Sequence, residues 1–299
     1  MKVKEWFELW LSVYVCDRVK ERTYIKYKQI ATKYVTPRLG DIEISSLKDV
    51  DIRRFVFEDV MRKENLSPSS VNVLIAVLKA AFSAAVKSGI IEKDPAQNVK
   101  SIPASRKRTE AFTLKEQRKI EEYVLSSANL KLHGIIICLY MGLRIGELLA
   151  LTWADVDLSR KIVSVSKTLG EKGKIYSAKT KTGNRIIPIS NELTPIFRRL
   201  KRSGNSEYVI ETRSHITNVR GYQDLYRRTL KKIGVRYLKF HSLRHTFATR
   251  AVESGMDVKT LSELMGHSNV SITLNCYAHC QLEQKRRAVN RLGKLLCDK

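Results

Sequence analysis

The sequence predicts a mainly α protein in two parts, a helical N-terminal domain and an α-rich second domain that carries a small antiparallel β-sheet. Three observations predict it. Apolar and aromatic residues recur at helical spacing from Val3 to about Gly89, with no strand pattern between them. A Pro-containing basic stretch, Ser101 to Arg108, then interrupts the pattern. Beyond it, helical segments flank one cluster of short alternating runs between Lys161 and Asn184. The domains are accordingly placed at 1–103 and 109–299, joined by a basic linker, 104–108.

The elements follow in order. Helical spacing covers Val3 to about Cys16 and about Thr23 to Tyr34, and Pro37 with Gly40 is expected to close this pair. A third helix runs from about Asp49 to Glu64. The fourth has Ser67 as its N-cap, Pro68 at its first position and Gly89 as its stop. In the second domain, Thr113 and Glu116 form the reciprocal pair of a capping box, opening a helix to about Ser126. Leu132 to Met141 is apolar on most faces and reads as a buried helix, broken by Gly142. A helix from about Ile145 to Leu151 precedes an alternating strand, Lys161 to Lys167. Strand-like pieces then surround Gly170 to Gly173 and Thr182 to Asn184, and helical patterns resume from about Asn191.

Composition narrows the function. A hydrophobic fraction of 43% over 299 residues is enough to build real cores and excludes a disordered chain. The 55 Lys and Arg against 30 Asp and Glu leave a charge of +25, which calls for a polyanionic partner, nucleic acid foremost. The excess is uneven: +5 over residues 1–105 and +20 over 106–299, so the second part is expected to hold phosphate more closely. No run approaches the ~18 apolar residues of a membrane span. The N-terminus lacks a secretory cleavage pattern, and a cytoplasmic protein with no membrane partner is expected. Cys16, Cys138, Cys276, Cys280 and Cys297 form no paired framework. Cys276, His279 and Cys280, with no second cluster, make a poor metal site, so neither metal nor cofactor is expected.

Three motifs carry candidate chemistry. Arg144, in Gly142-Leu143-Arg144-Ile145-Gly146-Glu147, follows a buried helix; a guanidinium there needs a permanent partner such as Glu147 or a transient one such as a phosphate. In His241-Ser242-Leu243-Arg244-His245, His241 and Arg244 share a helix face and Leu243 with Phe247 marks the core side. The polar pair is expected to look into a cleft and His245 to point elsewhere. An ordinary capped helix with a satisfied histidine would read the same way. Gly266 fits the left-handed stop of a helix capped by Asp257, leaving His267 on the next turn, and Tyr277 follows ten residues later. Alone, Tyr277 is an unremarkable tyrosine.

Taken together, their order and spacing resemble the tyrosine recombinase, or phage integrase, family across both domains. The family signature is an Arg in a G-L-R-x-x-E context, a hairpin Lys, H-x-L-R-H, G-H, and then a Tyr. The resemblance implies that Arg144, Lys181, His241, Arg244, His267 and Tyr277 are the site residues, with Lys179 as the alternative hairpin lysine in Ser177-Ala178-Lys179-Thr180-Lys181-Thr182-Gly183. It further implies a SAM-like four-helix core-binding domain that clamps the duplex, and a catalytic domain that cuts and rejoins DNA through a 3′-phosphotyrosine and a Holliday junction, without metal or ATP. The implied partners are double-stranded recombination sites, a homotetramer on DNA, and an accessory DNA-bending or directionality factor. The forms Lys181-Thr182-Gly183 and Thr273-Leu274-Asn275-Cys276-Tyr277-Ala278-His279 look most like integrases of mobile elements, so integration or excision is expected. The chain opens directly on the core-binding pattern, from which a simple recombination site is expected. The C-terminal residues Leu282, Val289, Leu292 and Leu295 are expected to pack on a neighbouring protomer. The rival readings are a type IB topoisomerase and a DNA-binding regulator that has lost the reaction. The full residue set argues against the second.

Overall fold

A computed structural model of the chain describes residues 1–103, 110–170, 173–177, 184–204, 206–210 and 218–267, with residues 274, 286, 289 and 290 singly. The chain divides into two compact units, Met1–Lys107 and Arg108–Lys299.

In the first unit, α1 (Val3–Leu9) continues in wider π-type turns through Trp10–Val15, and α2 (Glu21–Ile30) does the same through Ala31–Val35. A short α3 (Thr36–Leu39) follows, then α4 (Asp49–Arg54), continuing through Phe55–Arg62, and α5 (Pro68–Lys87). Pro37 does not close the second helix as expected. It sits in the first turn of α3, a position that tolerates proline, and Gly40 stays right-handed at φ −57°. Ser67 caps α5 as expected, its hydroxyl accepting the Ser70 N–H at 3.3 Å.

α5 corrects the expectation that no run is apolar enough to span a membrane. By length and composition it is, with a mean hydropathy of 1.7, because its alanines dilute the run of large side chains without adding charge. Its burial is that of a core helix instead: Val71, Leu74, Ile75, Val77, Leu78, Ala81, Phe82 and Ala85 are all buried, and the Trp6 indole donates to the Ala81 carbonyl at 3.0 Å. The apolar stripes of α1, α2 and α4 supply the rest of this core through residues such as Trp6, Phe7, Val35, Ile52 and Phe55.

The second unit starts with α6 (Leu114–Ser126), whose capping box is complete: Glu116 N–H donates to Thr113 Oγ1 at 3.2 Å and Thr113 N–H to Glu116 Oε2 at 2.8 Å. α7 (His133–Met141) is buried nearly all round, and α8 (Ile145–Ala150) follows it. Among the described residues the strands are β1 (Val156–Asp157), β2 (Ile162–Val165), β3 (Lys167–Leu169), β4 (Ile175–Ser177) and β5 (Arg185–Pro188). They form two antiparallel sheets, β1-β2-β5 and β3-β4, where the sequence suggested one. The predicted strand Lys161 to Lys167 breaks at Ser166 because β3 leaves the first sheet to pack on α8. There Gly146 comes so close that a Cβ would lie 2.7 Å from the Leu169 carbonyl oxygen. Further helices among the described residues are α9 (Thr194–Ser203), α10 (Val219–Lys232), α11 (His241–Glu253) and α12 (Val258–Met265). α11 packs along α7, and Leu243 belongs to the same buried core as Ile135, Leu139 and Leu148.

Candidate active site

The site begins where α7 stops. Gly142 takes the left-handed conformation (φ +64°), which a side chain could adopt only under strain and only by displacing the Phe247 ring lying against it. The turn delivers Arg144 in extended conformation as the N-cap of α8, with Glu147 three residues on. Glu147 accepts the Arg144 backbone N–H at 2.9 Å and its Nη1 at 2.7 Å. It also accepts two bonds from Arg185 at the start of β5, from Nη1 at 3.1 Å and Nη2 at 2.7 Å. The Glu147 and Arg185 side chains are 8% and 6% exposed, whereas Arg144 keeps 40% of its side chain in solvent. The permanent partner weighed in the sequence therefore exists and still leaves Arg144 accessible. Burial alone would raise the Glu147 pKa, but Arg185 and Arg144 bring it down to about 2.

α11 supplies the next pair. His241 is its first residue and Arg244 lies one turn on. Arg244 is 1% exposed, and its guanidinium donates to the Gly142 carbonyl at 2.7 Å and to the Met265 carbonyl. Burial, then the neighbouring Arg144, lowers its pKa to about 9, which leaves it cationic at neutral pH. His241 stands at the surface, so the two do not look equally into a cleft as expected. His245 does not point elsewhere either. Four residues after His241, it shares that helical face and sets its ring edge-on to His241, 4.7 Å between centroids.

α12 brings the site together. Asp257 caps it, accepting the Thr260 N–H at 2.9 Å, and Gly266 ends it in the left-handed conformation (φ +60°), with His267 N–H returning to the Ser262 carbonyl at 3.1 Å. Three successive carbonyls at this end each accept from a different arginine. Leu264 takes Arg185 Nε at 2.7 Å, Met265 takes Arg244 Nη2, and Gly266 takes Arg144 Nη2 at 3.2 Å. A helix C-terminus leaves its last carbonyls unpaired and carries partial negative charge, so it can hold several cations close together. His267 follows directly, half-buried. Burial and the positive charge of Arg244 and Arg144 bring its pKa to about 4; for His241, exposed at one side, packing of the rest of the ring and the same two arginines lower the pKa.

Arg144, His241, Arg244 and His267 are thus gathered around one helix end. Lys181, its alternative Lys179, and Tyr277 lie outside the described residues, as do Cys276, His279, Cys280, Leu282, Leu292 and Leu295; Val289 is described and exposed. Among the described residues no group of three or more His, Cys, Asp or Glu could hold a metal. Sequence reasoning missed Arg185. Its signal was there: β5 alternates, with Ile187 buried and Ile186 exposed, so Arg185 falls on the inward side, where an arginine requires a buried carboxylate. Fixed cationic donors beside imidazoles that are mostly neutral at pH 7 suit an anion on which charge develops and a proton that must be taken up.

Comparison with known proteins points the same way. Residues 111–284 match the model described as "Phage integrase family", and residues 2–58 match "Phage integrase, N-terminal SAM-like domain". The chain is 32% identical to a "Tyrosine recombinase XerC-like" protein of Caldanaerobacter subterraneus, covering 96% of this chain and 81% of that one. Among solved structures, the Tn1549 transposon integrase in complex with a circular intermediate DNA superposes with a TM-score of 0.82 at 26% identity, over 98% of this chain and 99% of that one. A lambda integrase tetramer bound to a Holliday junction shares the fold, with a TM-score of 0.72 at 19% identity over 90% of this chain and 78% of that one. The match covers more than half of the chain and includes the arginine, histidine and glycine turns described above: this protein belongs to the phage integrase family.

Proposed function

We propose that this protein is a site-specific tyrosine recombinase that cuts and rejoins DNA through a 3′-phosphotyrosine at Tyr277, and that it integrates or excises a mobile element. The observation that carries the reading is the convergence of Arg144 and Arg244 on the end of α12, with His241 and His267 beside them. Similarity to the Tn1549 transposon integrase supports the mobile-element assignment.

In this mechanism the Tyr277 oxygen attacks phosphorus and the bond from phosphorus to the 5′ oxygen breaks. A phenol of pKa about 10 is a poor nucleophile until its proton has an acceptor. His241, with its lowered pKa, is neutral and able to take it. Charge gathers on the non-bridging oxygens, where the forked donors of Arg144 and Arg244 act, and His267 adds a hydrogen bond. Lys181 gives a proton to the departing 5′ oxygen. The phosphotyrosine conserves the phosphodiester energy, so a 5′ hydroxyl from another strand reverses the attack without ATP, and the arginines do the electrostatic work assigned to metal ions in other phosphoryl transfers. Two DNA sites held by four protomers, acting inside the cell with an accessory bending or directionality factor, complete the scheme. The assembly is supported by the fold shared with the lambda integrase tetramer.

Wild type and Tyr277→Phe incubated in EDTA with nicked fragments of the element's attachment site should differ on denaturing gels: a protein adduct at the 3′ end with wild type only. Cleavage that needs a divalent metal and leaves no adduct would overturn the reading.

A further inference from the structure

Arg185 has no place in the mechanism above, yet it is among the most completely engaged polar side chains near the site. All three of its guanidinium nitrogens are bonded, Nε to the Leu264 carbonyl and Nη1 and Nη2 to Glu147. At 6% side-chain exposure it faces the protein. With three of its five N–H groups committed to protein oxygens and its side chain enclosed, it is placed to hold the site together more than to meet a phosphate.

Its effect falls on Arg144. Glu147 touches the Arg144 guanidinium at 2.7 Å, and a carboxylate that close, left to itself, would neutralise the arginine and set a negative charge beside an incoming phosphate. Arg185 puts a second cation on the same carboxylate, so the three-residue cluster carries a net positive charge, presented through the one member that is accessible. Its Nε also pins the end of α12 next to the carbonyls that hold Arg244 and Arg144. Its backbone is fixed by pairing with Val165 on β2, and Lys181 precedes it by four residues in the sequence.

We propose that Arg185 is a positioning residue for strand cleavage: it balances the charge of Glu147 so that Arg144 stays available to the phosphate, and it locks α12 against β5. The inference rests on Arg144 acting at the scissile phosphate, as proposed above.

The test compares wild type, Arg185→Met, Arg185→Lys and the double variant Arg185→Met/Glu147→Gln on one nicked attachment-site fragment. Single-turnover adduct formation and the salt dependence of DNA binding are measured for each, with folding checked by circular dichroism. Arg185→Met should form adduct about 100-fold more slowly, the scale of a misplaced reacting group, with a salt slope lower by at most about one, the Arg144 contact, and the slope should return to that of wild type in the double variant. Arg185→Lys, which keeps the charge but not the fork, should recover about tenfold of that loss. The double variant should also exceed Arg185→Met, because glutamine keeps the α8 cap and removes the excess negative charge. Adduct formation by Arg185→Met within threefold of wild type would overturn the inference. So would a double variant no faster than Arg185→Met, which would make Arg185 purely structural, or one whose salt slope stays lower by about one, which would make Arg185 itself a phosphate contact. Should Arg185→Met not fold, Arg185→Lys decides alone: about tenfold slower cleavage at unchanged slope supports the inference, and an unchanged rate overturns it. Absence of adduct with wild type on DNA that it binds would overturn the recombinase reading and this one with it, whereas failure confined to the Arg185 variants would leave that reading standing.

Discussion

The two units bury different things. Among the described residues, every buried side chain of the first is apolar, from Val3 through Trp6 and Phe55 to Val99. The buried polar and charged residues among those described, His133, Glu147, Thr194, Thr229, Ser242, Arg244, Thr246 and Ser262, all belong to the second. An apolar core gains stability with area and tolerates exchange of one hydrophobic residue for another of its size. Buried charge adds little net stability, because desolvation consumes most of what pairing gains, so its presence asks for another explanation. In the second unit that explanation is positional. Glu147 and Arg244 are buried, and the Arg185 side chain is enclosed with them, in the act of fixing Arg144, the end of α12 and the start of α8.

This contrast can be sharpened by substitution. The largest effect should come from Arg244→Lys. An ammonium cannot serve the Gly142 and Met265 carbonyls and still offer a fork to phosphate, so single-turnover cleavage should fall about 1,000-fold while DNA affinity changes little. A lysine variant that cleaves at the wild-type rate would show that the buried fork takes no part in the chemistry.

Stability should separate the units next. Glu147→Ala strands Arg185 with only the Leu264 carbonyl and should cost about 3–5 kcal/mol by urea unfolding, together with a loss of cleavage. Leu78→Ala, in the core of the first unit, should cost about 2–5 kcal/mol yet leave cleavage per folded molecule unchanged. Equal losses of cleavage in the two variants would erase the distinction.

The smallest effect is one of pH. His245 and His267 have native pKa values of about 4 against 6.5 in the unfolded chain, so between those values the unfolded state binds more protons. Their contribution is complete above pH 6.5 and is lost as the pH falls toward 4. Glu147, lowered to about 2 from 4.5, matters only below that window. Because both rings are partly solvated, about 1–2 kcal/mol is expected, confined to the second unit. Peptide-resolved hydrogen exchange at pH 7 and pH 5, corrected for intrinsic rates, should show α11 and α12 weakening while α5 does not; equal weakening of both units would contradict the assignment.

The same division governs what could be read from the sequence. The caps were legible because they depend on a few neighbouring residues: Ser67 before Pro68, Thr113 with Glu116, Asp257, the break at Gly142 and the left-handed Gly266 all occur as expected. So was the apolar core, which follows from periodicity. The register of helix faces was only half legible. Leu243 is in the core, but His245 lies against His241 because a four-residue step keeps to one face. Pairings between distant segments were not legible at all. The departure of β3 from the first sheet depends on its docking against Gly146, and the three arginines meet at Leu264, Met265 and Gly266 from sequence distances that no local pattern encodes.

The central claim is that this cationic cluster serves a tyrosine nucleophile, and the most direct test is to identify the attachment point. Wild-type protein trapped on a nicked attachment-site fragment in EDTA should be digested with nuclease and protease and the nucleotide-bearing peptide sequenced by mass spectrometry. The account predicts a 3′-phosphonucleotide on Tyr277. Attachment to any other residue, or cleavage with no attached nucleotide, would contradict it.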